Sequence, residues 1–444
     1  MLLLLHLKAG HILVKIKEMH KIKPLTIMIL AGIWIVCSCA SPNGKQKSDP
    51  DMATVQNDYT VVSYYFPNYH VDARNVRLYG NDWTEWELVK NARPRFEGHR
   101  QPKIPAWGYT DESNPADMQQ KIEAAADHGI DVFVFDWYYY DDGPFLEGAI
   151  EEGFFGATNN RRMKFGLMWA NHDWVELFPI DAETRKSEKG PELYYPGAIR
   201  PSTWETMTDY IIDTYFSHPS YWKIDGAPYF SVYDLTKFME SFGSVEATAE
   251  GVESFRRKVR KAGFADLHLN AVVWGNIQLP SGERVEENEL GALLEQIGFS
   301  STSSYVWIHH VKPAFPTQQY NDMEKKYFDY AEQFSHKMQL PYFPNVTMGW
   351  DSSPRADQKS EFKELGYPFI GVVVDNTPNN FKGALLDMKE YLARSPGAHN
   401  TFMINCWNEW TEGSYLEPDV VTGMAYLDAV KEVFGSEESA STKQ

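Results

Sequence analysis

Short runs of apolar and β-branched residues alternate along the chain with segments that repeat apolar residues at helical spacing. Helical patterns of this kind cover 115–129, 253–263 and 380–394. Nearly continuous apolar strands that alternate with helices are typical of a parallel sheet covered by helices. Eight strands in this arrangement predict an α/β fold, a (β/α)8 TIM-like barrel in a single domain. The eight apolar runs lie at 60–65, 131–139, 164–170, 228–234, 267–274, 299–307, 341–349 and 401–407.

The pattern leaves one alternative fold, a doubly wound open sheet that binds a dinucleotide. Such a sheet carries a glycine-rich turn after its first strand. Here the first run continues as YYFPNYH, which contains no glycine. The barrel is therefore the favoured prediction.

Polar and aromatic residues follow almost every run, at the strand ends where barrels of this type carry their chemistry. Aromatic residues make up 14% of the chain, and their faces stack on the C–H faces of sugar rings. Together these features predict a carbohydrate-binding cleft. The candidate substrate-binding residues are Tyr65, Asp82, Glu85, Trp137, Tyr138, Trp169, Asn171, Asp173, Tyr233, His309, Trp350, Asp351, Asn408, Trp410 and Tyr415. Arg355, close to Asp351, is expected to form an ion pair with it that shapes the cleft.

The stretch INCWNEWTEGSYLEPD at 404–419 places Glu409 and Glu412 beside two tryptophans at the end of the eighth run. Cleavage of a glycosidic bond generally needs two carboxyl groups, one of which must stay protonated near neutral pH. Burial or a neighbouring anion supplies the necessary rise in pKa. These two residues are the candidate catalytic pair. Structural roles are the alternative, with Glu412 starting a helix and Glu409 serving as a buried structural carboxylate.

The NEWTEG sequence resembles the NEW-x-EG signature of glycoside hydrolase family 99, the endo-α-mannosidase family. The stretches 108–138, 218–234 and 342–355 resemble further parts of that family in the same order, so the likeness covers roughly 60–420. The segments GNDWTEW, WANHDW and WNEWTEG are similar to family-99-like proteins known as glycosyltransferase WbsX.

The resemblance implies a (β/α)8 barrel and a retaining hydrolase that uses no metal and no cofactor. It implies that Glu409 removes the proton of the sugar's own 2-hydroxyl, whose oxygen then attacks the anomeric carbon to give a 1,2-anhydro sugar. Glu412 would protonate the leaving group and later activate water. Thr411, Ser414-Tyr415 and Asn171 depart from the endomannosidase pattern. We therefore expect a glycosidase acting on an α-linked glycan and leave the sugar unassigned.

The amino terminus has the features of a bacterial lipoprotein signal. Lys21 and Lys23 precede an apolar run at 24–36, and the sequence VCSC then resembles a lipobox with Cys39 as the lipidated residue. The alternative is a transmembrane anchor, for which the run is short. Met19 is an alternative start. We predict a signal peptide at 1–38, a flexible tether at 39–58, the catalytic barrel at 59–435 and a disordered tail at 436–444. The location would be the bacterial cell envelope, with the lipid-anchored protein facing the periplasm or the cell surface.

The net charge and the cysteine content limit the classes of molecule that the protein is expected to bind. The net charge of −19 disfavours nucleic acid and fits a soluble monomer that acts on an oligosaccharide or polysaccharide. No CxxC or HExxH sequence supports a zinc site, and Cys406 is expected to be a buried core thiol. Two other functions stay open, a glycosyltransferase of polysaccharide assembly and a non-catalytic glycan-binding lipoprotein.

Overall fold

The computed structural model describes residues 59–395 and 399–435. The predicted signal peptide, the lipidation site Cys39, the tether 39–58 and the tail 436–444 lie outside the described residues. Within the described part, no helix has both the length and the apolar character needed to cross a bilayer.

Eight parallel strands form the barrel, and each overlaps one of the predicted runs. Neighbours in the chain pair with each other, and the eighth strand pairs with the first. The seventh strand is interrupted at Pro344: its first piece pairs with the sixth strand and its second piece with the eighth, so the ring is nearly closed. The barrel prediction is confirmed. The strands are β1 (Thr60–Tyr65), β2 (Val132–Tyr140), β3 (Lys164–Trp169), β4 (Ala227–Val232), β5 (His268–Val272), β6 (Ser301–Ser303), β7 (Tyr342–Phe343 and Asn345–Thr347) and β8 (Thr401–Asn405).

Eleven α-helices lie in the described residues, and they include the three predicted from sequence. Proline at the first helical position and a capping side chain start two of them, because Asn114 accepts a hydrogen bond from the backbone of Ala116 and Thr377 accepts one from Asn380. The helices are α1 (Ala73–Tyr79), α2 (Trp86–Asn91), α3 (Pro115–Asp127), α4 (Ala182–Lys186), α5 (Pro201–Ile211), α6 (Leu235–Glu240), α7 (Val245–Lys261), α8 (Glu287–Ile297), α9 (Tyr320–Lys337), α10 (Pro378–Arg394) and α11 (Ala425–Phe434).

The connections between these strands and helices contain shorter elements. Single π-helical turns lie at Ala149–Phe154 and Ile212–Phe216, and 3₁₀ turns at Asn160–Arg162, Trp307–His309, Ser353–Arg355 and Trp410–Glu412. Short strands lie at Gly143–Phe145, Trp174–Val175, Leu193–Tyr195, Lys223–Ile224, Thr317–Gln319, Val372–Val374, Asn408–Glu409 and Ser414–Tyr415.

The barrel strands are buried on both faces, and alternation decides where each side chain goes. Along β2, Phe135 packs on Phe154 and Trp137 packs on Tyr215 in the flanking helical turns. Asp136 and Tyr138 point the other way and line a cavity at the carboxyl end of the barrel. Cys406, directly after β8, is a fully buried free thiol, as expected.

Candidate active site

A cavity of about 410 Å³ opens where the carboxyl ends of the strands meet. Its walls are mainly aromatic and aliphatic, with carboxyl groups and one guanidinium at one side. This is the position at which barrels of this class hold their chemistry. The lining residues are Phe66, Asp136, Tyr138, Met168, Ala170, His172, Trp174, Leu177, Phe178, Tyr233, Trp274, Tyr305, Val306, Ile308, His309, Trp350, Arg355, Tyr367, Glu409 and Glu412.

The segment after β8 carries Glu409 and Glu412 into this cavity. Asn408 fixes the start of the segment, because its side chain accepts from the Phe66 backbone N–H and donates to the Phe66 carbonyl, both at 2.8 Å. The chain then makes a 3₁₀ turn, Trp410–Glu412, which is followed by Gly413 with φ of 63°. A Cβ at Gly413 would lie 2.7 Å from the Asp351 Cβ, so both the backbone angle and the space require glycine there.

Arg355 joins the two glutamates. One of its terminal nitrogens donates to Glu412 Oε1, and the other lies 3.4 Å from Glu409 Oε1. Its Nε donates to Glu85 at 2.8 Å, so one guanidinium serves three buried carboxyl groups. The expected ion pair between Asp351 and Arg355 is wrong. Asp351 instead lies 2.7 Å from His99 Nε2 and accepts from Gln101 at 2.6 Å.

The electrostatic surroundings of the two glutamates raise both pKa values. Burial raises the pKa of Glu409 well above its usual range, and the nearby Glu412 raises it further, against the opposing effect of Arg355. Burial also raises the pKa of Glu412, while the Arg355 contact and a 2.7 Å hydrogen bond from Tyr367 favour its charged form. The two groups therefore titrate as a pair.

Asp136 is a third buried carboxyl group of the cavity, and burial raises its pKa well above the usual range. The candidate substrate-binding residues do not include it, although they do include its neighbours Trp137 and Tyr138. Asp136 could have been identified from the alternation of side chains along the strand, because Asp136 and Tyr138 lie on one face of β2 and Trp137 lies on the other.

Among the candidate site residues, the structure brings six together around the cavity. Glu409 and Glu412 lie there, and the aromatic and histidine residues beside them are Tyr138, Tyr233, His309 and Trp350. The His309 side chain is half-buried, and burial lowers its pKa to about 3, so the imidazole is neutral at physiological pH.

Three other candidates lie at strand ends but on the outer face. The Tyr65 hydroxyl donates to Glu112 at 3.1 Å, Trp137 Nε1 to the Tyr215 hydroxyl at 3.0 Å, and Trp169 Nε1 to the Tyr139 carbonyl at 3.1 Å. Their chain neighbours Phe66, Asp136 and Met168 line the cavity instead. Candidate residues that are chosen only by their position at a strand end come equally from the inner and the outer face of the barrel, because successive side chains alternate between these faces.

Two further candidates, Asn171 and Glu85, do not line the cavity, but they hold neighbouring residues in place through hydrogen bonds. Asn171 accepts from the Asp234 backbone N–H and donates to the Asp234 carbonyl, both at 2.7 Å, and so ties two strand ends together as Asn408 does. Glu85 is fully buried, accepts from Asn68 at 2.7 Å and positions Arg355.

The remaining candidates lie outside the cavity. Asp173 pairs with Lys237 at 3.1 Å, and Asp82 is an exposed loop residue with φ of 59°. Trp410 and Tyr415 stack on each other with ring centroids 3.8 Å apart. Tyr415 and Asp351 line a separate cavity of about 350 Å³, to which Trp350 also contributes.

Several lining residues are not among the candidate substrate-binding residues. Tyr305 and His172 come from loops whose course is set by tertiary packing, and Tyr367 belongs to a long connection after β7. Arg355 follows β7 as well, but its contacts with Glu85 and Glu412 span 270 and 57 positions of the chain. Within the residues that the structure describes, no group of three or more His, Cys, Asp or Glu side chains is placed to hold a metal ion.

Comparison with known sequences identifies related proteins. The family described as Glycosyltransferase WbsX matches residues 61–430. Proteins named "Uncharacterized protein WxcX" from two strains of Xanthomonas campestris pv. campestris are 27% and 26% identical over 394 residues, which cover 86% of this chain and 51% of each relative. The chain thus spans about half the length of the curated relatives it matches.

Solved structures share the fold. A GH99 endo-alpha-mannosidase from Bacteroides thetaiotaomicron is 17% identical with a TM-score of 0.52, covering 86% of this chain and 99% of that one. A glycoside hydrolase-like protein is 14% identical with a TM-score of 0.53, covering 88% of this chain and 98% of that one. At these identities the likeness shows the barrel architecture.

Proposed function

The chain belongs to the family described as glycosyltransferase WbsX, and on that premise we propose that it is a glycoside hydrolase that cleaves an α-linked glycan. The observation that carries the proposal is the pair Glu409 and Glu412, which open into one aromatic-walled cavity and contact the same guanidinium. Two carboxyl groups facing one sugar-sized space are what glycoside hydrolysis requires. The shared barrel of the family 99 mannosidase is compatible with this reading.

Burial raises the pKa values of both glutamates, the direction that proton transfer near neutral pH needs, while Arg355 and Tyr367 favour the charged form of Glu412. A base and an acid that work near neutral pH are most effective when their pKa values lie near that pH, above the usual range of a carboxyl group. In the proposed reaction Glu409 takes the proton of the sugar's 2-hydroxyl, and that oxygen attacks the anomeric carbon to form a 1,2-anhydro sugar. Glu412 gives its proton to the departing oxygen and then activates water, which opens the anhydro ring with net retention. An internal hydroxyl held at the anomeric carbon is an effective nucleophile because it need not be collected from solution.

The polar atoms of the cavity favour a neutral sugar. Three residues that line it each carry a buried side-chain atom without a hydrogen-bond partner in the protein: Asp136 Oδ1, His309 Nδ1 and Trp350 Nε1. Buried polar groups normally have a hydrogen-bond partner, so these are the atoms that sugar hydroxyls would satisfy. Among the described residues that line the cavity, Arg355 is the one permanent cation, and three carboxyl groups already occupy it. A sugar with an acidic substituent would meet uncompensated negative charge there.

The test is hydrolysis of a panel of α-linked oligosaccharides by the wild type, Glu409→Gln and Glu412→Gln. We expect each substitution to lower kcat/KM by about 10²–10⁴-fold, the usual contribution of a general acid or base. Glu324→Gln is the matched control, since Glu324 is also buried but lies on α9 outside the cavity.

The same panel separates the other functions. Equal cleavage by all four proteins would contradict the assignment of the pair. Sugar binding without cleavage by any of them would indicate a glycan-binding protein. Transfer from a sugar nucleotide to an acceptor glycan, lost in the two glutamate variants, would indicate the glycosyltransferase that the family description names.

A further inference from the structure

The Tyr305 hydroxyl lies between two carboxyl groups of the cavity. It is 2.8 Å from Asp136 Oδ2 and 2.9 Å from Glu409 Oε2. All three side chains are at most 5% exposed. A phenolic hydroxyl carries one hydrogen and can donate it to only one of these two oxygens at a time.

Both hydrogen bonds of the Tyr305 oxygen can form only if one of the two carboxyl groups is protonated. If Asp136 and Glu409 were both ionised, one of their oxygens would face the lone pairs of the Tyr305 oxygen without a hydrogen between them, in a setting where unpaired polar groups are costly. If one carboxyl group is protonated, it donates to the Tyr305 oxygen, and Tyr305 donates to the other. Every short contact then holds one hydrogen.

The contact with Arg355 decides which carboxyl group takes that proton. Glu409 Oε1 lies 3.4 Å from the guanidinium, which favours the ionised form of Glu409. No ion pair to Asp136 occurs among the described residues, so the proton is placed on Asp136 Oδ2. Asp136 Oδ1 then remains as a buried oxygen without a partner at the cavity wall.

We propose that Asp136, Tyr305 and Glu409 share one proton, which Asp136 holds in the resting protein, and that Asp136 Oδ1 accepts a hydrogen bond from a sugar hydroxyl. Asp136 is thereby a third acidic group of the site. By holding the proton it keeps Glu409 as the carboxylate that the proposed reaction needs as a base, and this role in the reaction rests on the proposed function.

The proton can also move along the chain of hydrogen bonds. Asp136 releases its proton to the Tyr305 oxygen while Tyr305 releases its own to Glu409, so two O–H bonds break and two form. The net charge stays the same and the ionised group changes from Glu409 to Asp136. The other titratable or charged side chains that act on these two carboxyl groups are Glu412, Arg355, Tyr64, Tyr69, Tyr138, Tyr233 and Cys406.

Infrared difference spectroscopy tests the shared proton without reference to catalysis. The protein is prepared with ordinary and with side-chain ¹³C-labelled aspartate and measured at pH 8, where Asp131, whose pKa burial raises to about 6, is ionised. We expect a C=O stretching band of a protonated carboxyl group that shifts with the aspartate label and disappears in Asp136→Asn. Absence of the band, or a band that does not shift with the aspartate label, would overturn the placement of the proton on Asp136.

Two tyrosine variants test the link. In Tyr305→Phe the band should remain but change frequency, because the protonated group loses its acceptor. In the control Tyr320→Phe, whose buried hydroxyl donates to the Thr347 carbonyl at 2.8 Å instead of to either carboxyl group, the band should not move. A band that is identical in wild type and Tyr305→Phe would contradict the relay.

Glycan binding tests the second half of the proposal. Asp136→Asn keeps an acceptor oxygen and can donate its amide hydrogen to Tyr305, as the protonated acid does, so glycan affinity should be nearly unchanged. Asp136→Ala should weaken it about tenfold, the loss of one hydrogen bond. Equal affinity of both variants would overturn the sugar contact. If the infrared band behaves as expected but the protein cleaves no glycan, the shared proton is supported and the proposed hydrolase function is contradicted. If the protein cleaves a glycan but shows no band, the hydrolase function is supported and the shared proton is contradicted.

Discussion

At the scale of single residues, Arg355 is the charge on which the site depends. It lies beneath Phe66 and Phe178, is 5% exposed, and balances Glu85, Glu409 and Glu412. Removing one partner of a buried ion pair leaves an uncompensated charge and commonly costs about 3–5 kcal/mol. We expect Arg355→Met to lower the free energy of unfolding at pH 7.5 by at least that amount, measured by urea denaturation.

The loss should depend on pH. Burial raises the pKa values of Glu409 and Glu412 and Arg355 lowers them, so without Arg355 both pKa values rise further and the folded protein binds protons more readily than the unfolded chain. Its stability deficit is therefore smallest at low pH and grows as pH rises through those values. Lys337→Met is the control, because Lys337 and Glu287 form an exposed pair at 2.6 Å whose loss should change stability by less than about 1 kcal/mol at any pH. Equal losses in the two variants would contradict the role of Arg355.

Single residues also show which parts of the candidate site can be predicted from the sequence. Glu409 and Glu412 can be found from one short motif, because two glutamates after a buried strand and beside indole rings form a local pattern. Asp136 could have been found from alternation along β2, since it shares a face with Tyr138. Arg355 can be found by its position after the seventh run, but its pairing with Glu85 cannot, because Glu85 is 270 positions away and only the barrel brings the two together.

At the scale of elements, helix α3 supports the segment that carries Glu409 and Glu412 from outside the barrel. Lys121 on α3 is fully buried and lies 2.6 Å from Glu417 Oε1, and Glu417 accepts from Trp410 Nε1 at 2.8 Å. Trp410 belongs to the turn that ends at Glu412. We expect Lys121→Met to lower the free energy of unfolding by about 3–5 kcal/mol, because Glu417 would stay buried without its cation.

A double-mutant cycle checks this explanation by urea denaturation followed through tryptophan fluorescence. Glu417→Gln can still accept from Trp410 and carries no charge, so Lys121→Met with Glu417→Gln should be more stable than Lys121→Met alone. If the double variant loses as much as the two single variants together, the buried pair is not what holds the turn.

The barrel elements could be predicted from sequence more completely than the loops could. All eight strands follow from apolar runs because each is buried on both faces, and α3 and α10 follow from helical spacing with asparagine or threonine caps and proline at the first position. Helix α7 is longer than its pattern suggested, since it begins at Val245 after the capping residue Ser244. The short strands and 3₁₀ turns that shape the cavity have two or three residues each, too few to show a period.

At the scale of the whole molecule, the barrel and the amino-terminal segment have separate roles in our hypothesis. The barrel gathers Glu85, Arg355 and Glu412 from distant parts of the chain, and its cavity favours a neutral glycan. A net charge of −19 does not oppose such a substrate, because a neutral sugar has no net charge for the protein's field to repel. Glycans of this kind would have to reach the protein outside the cytoplasm if the predicted lipoprotein signal operates.

We propose that Cys39 carries that lipid, and the chain offers its own control for the test. The sequence VCSC contains two cysteines, but only Cys39 follows the small residue Ser38 at the position where a lipobox is modified. Two or more acyl chains hold a protein firmly to a bilayer, whereas the unmodified chain would rely on its short apolar run. When the full chain is expressed in a bacterium and extracted with a detergent that separates into two phases, we expect wild type and Cys37→Ser to enter the detergent phase and Cys39→Ser to leave it. Retention of Cys39→Ser in the detergent phase, uncleaved by mass, would favour the transmembrane anchor and would leave the barrel and its cavity unaffected, because both lie within 59–435.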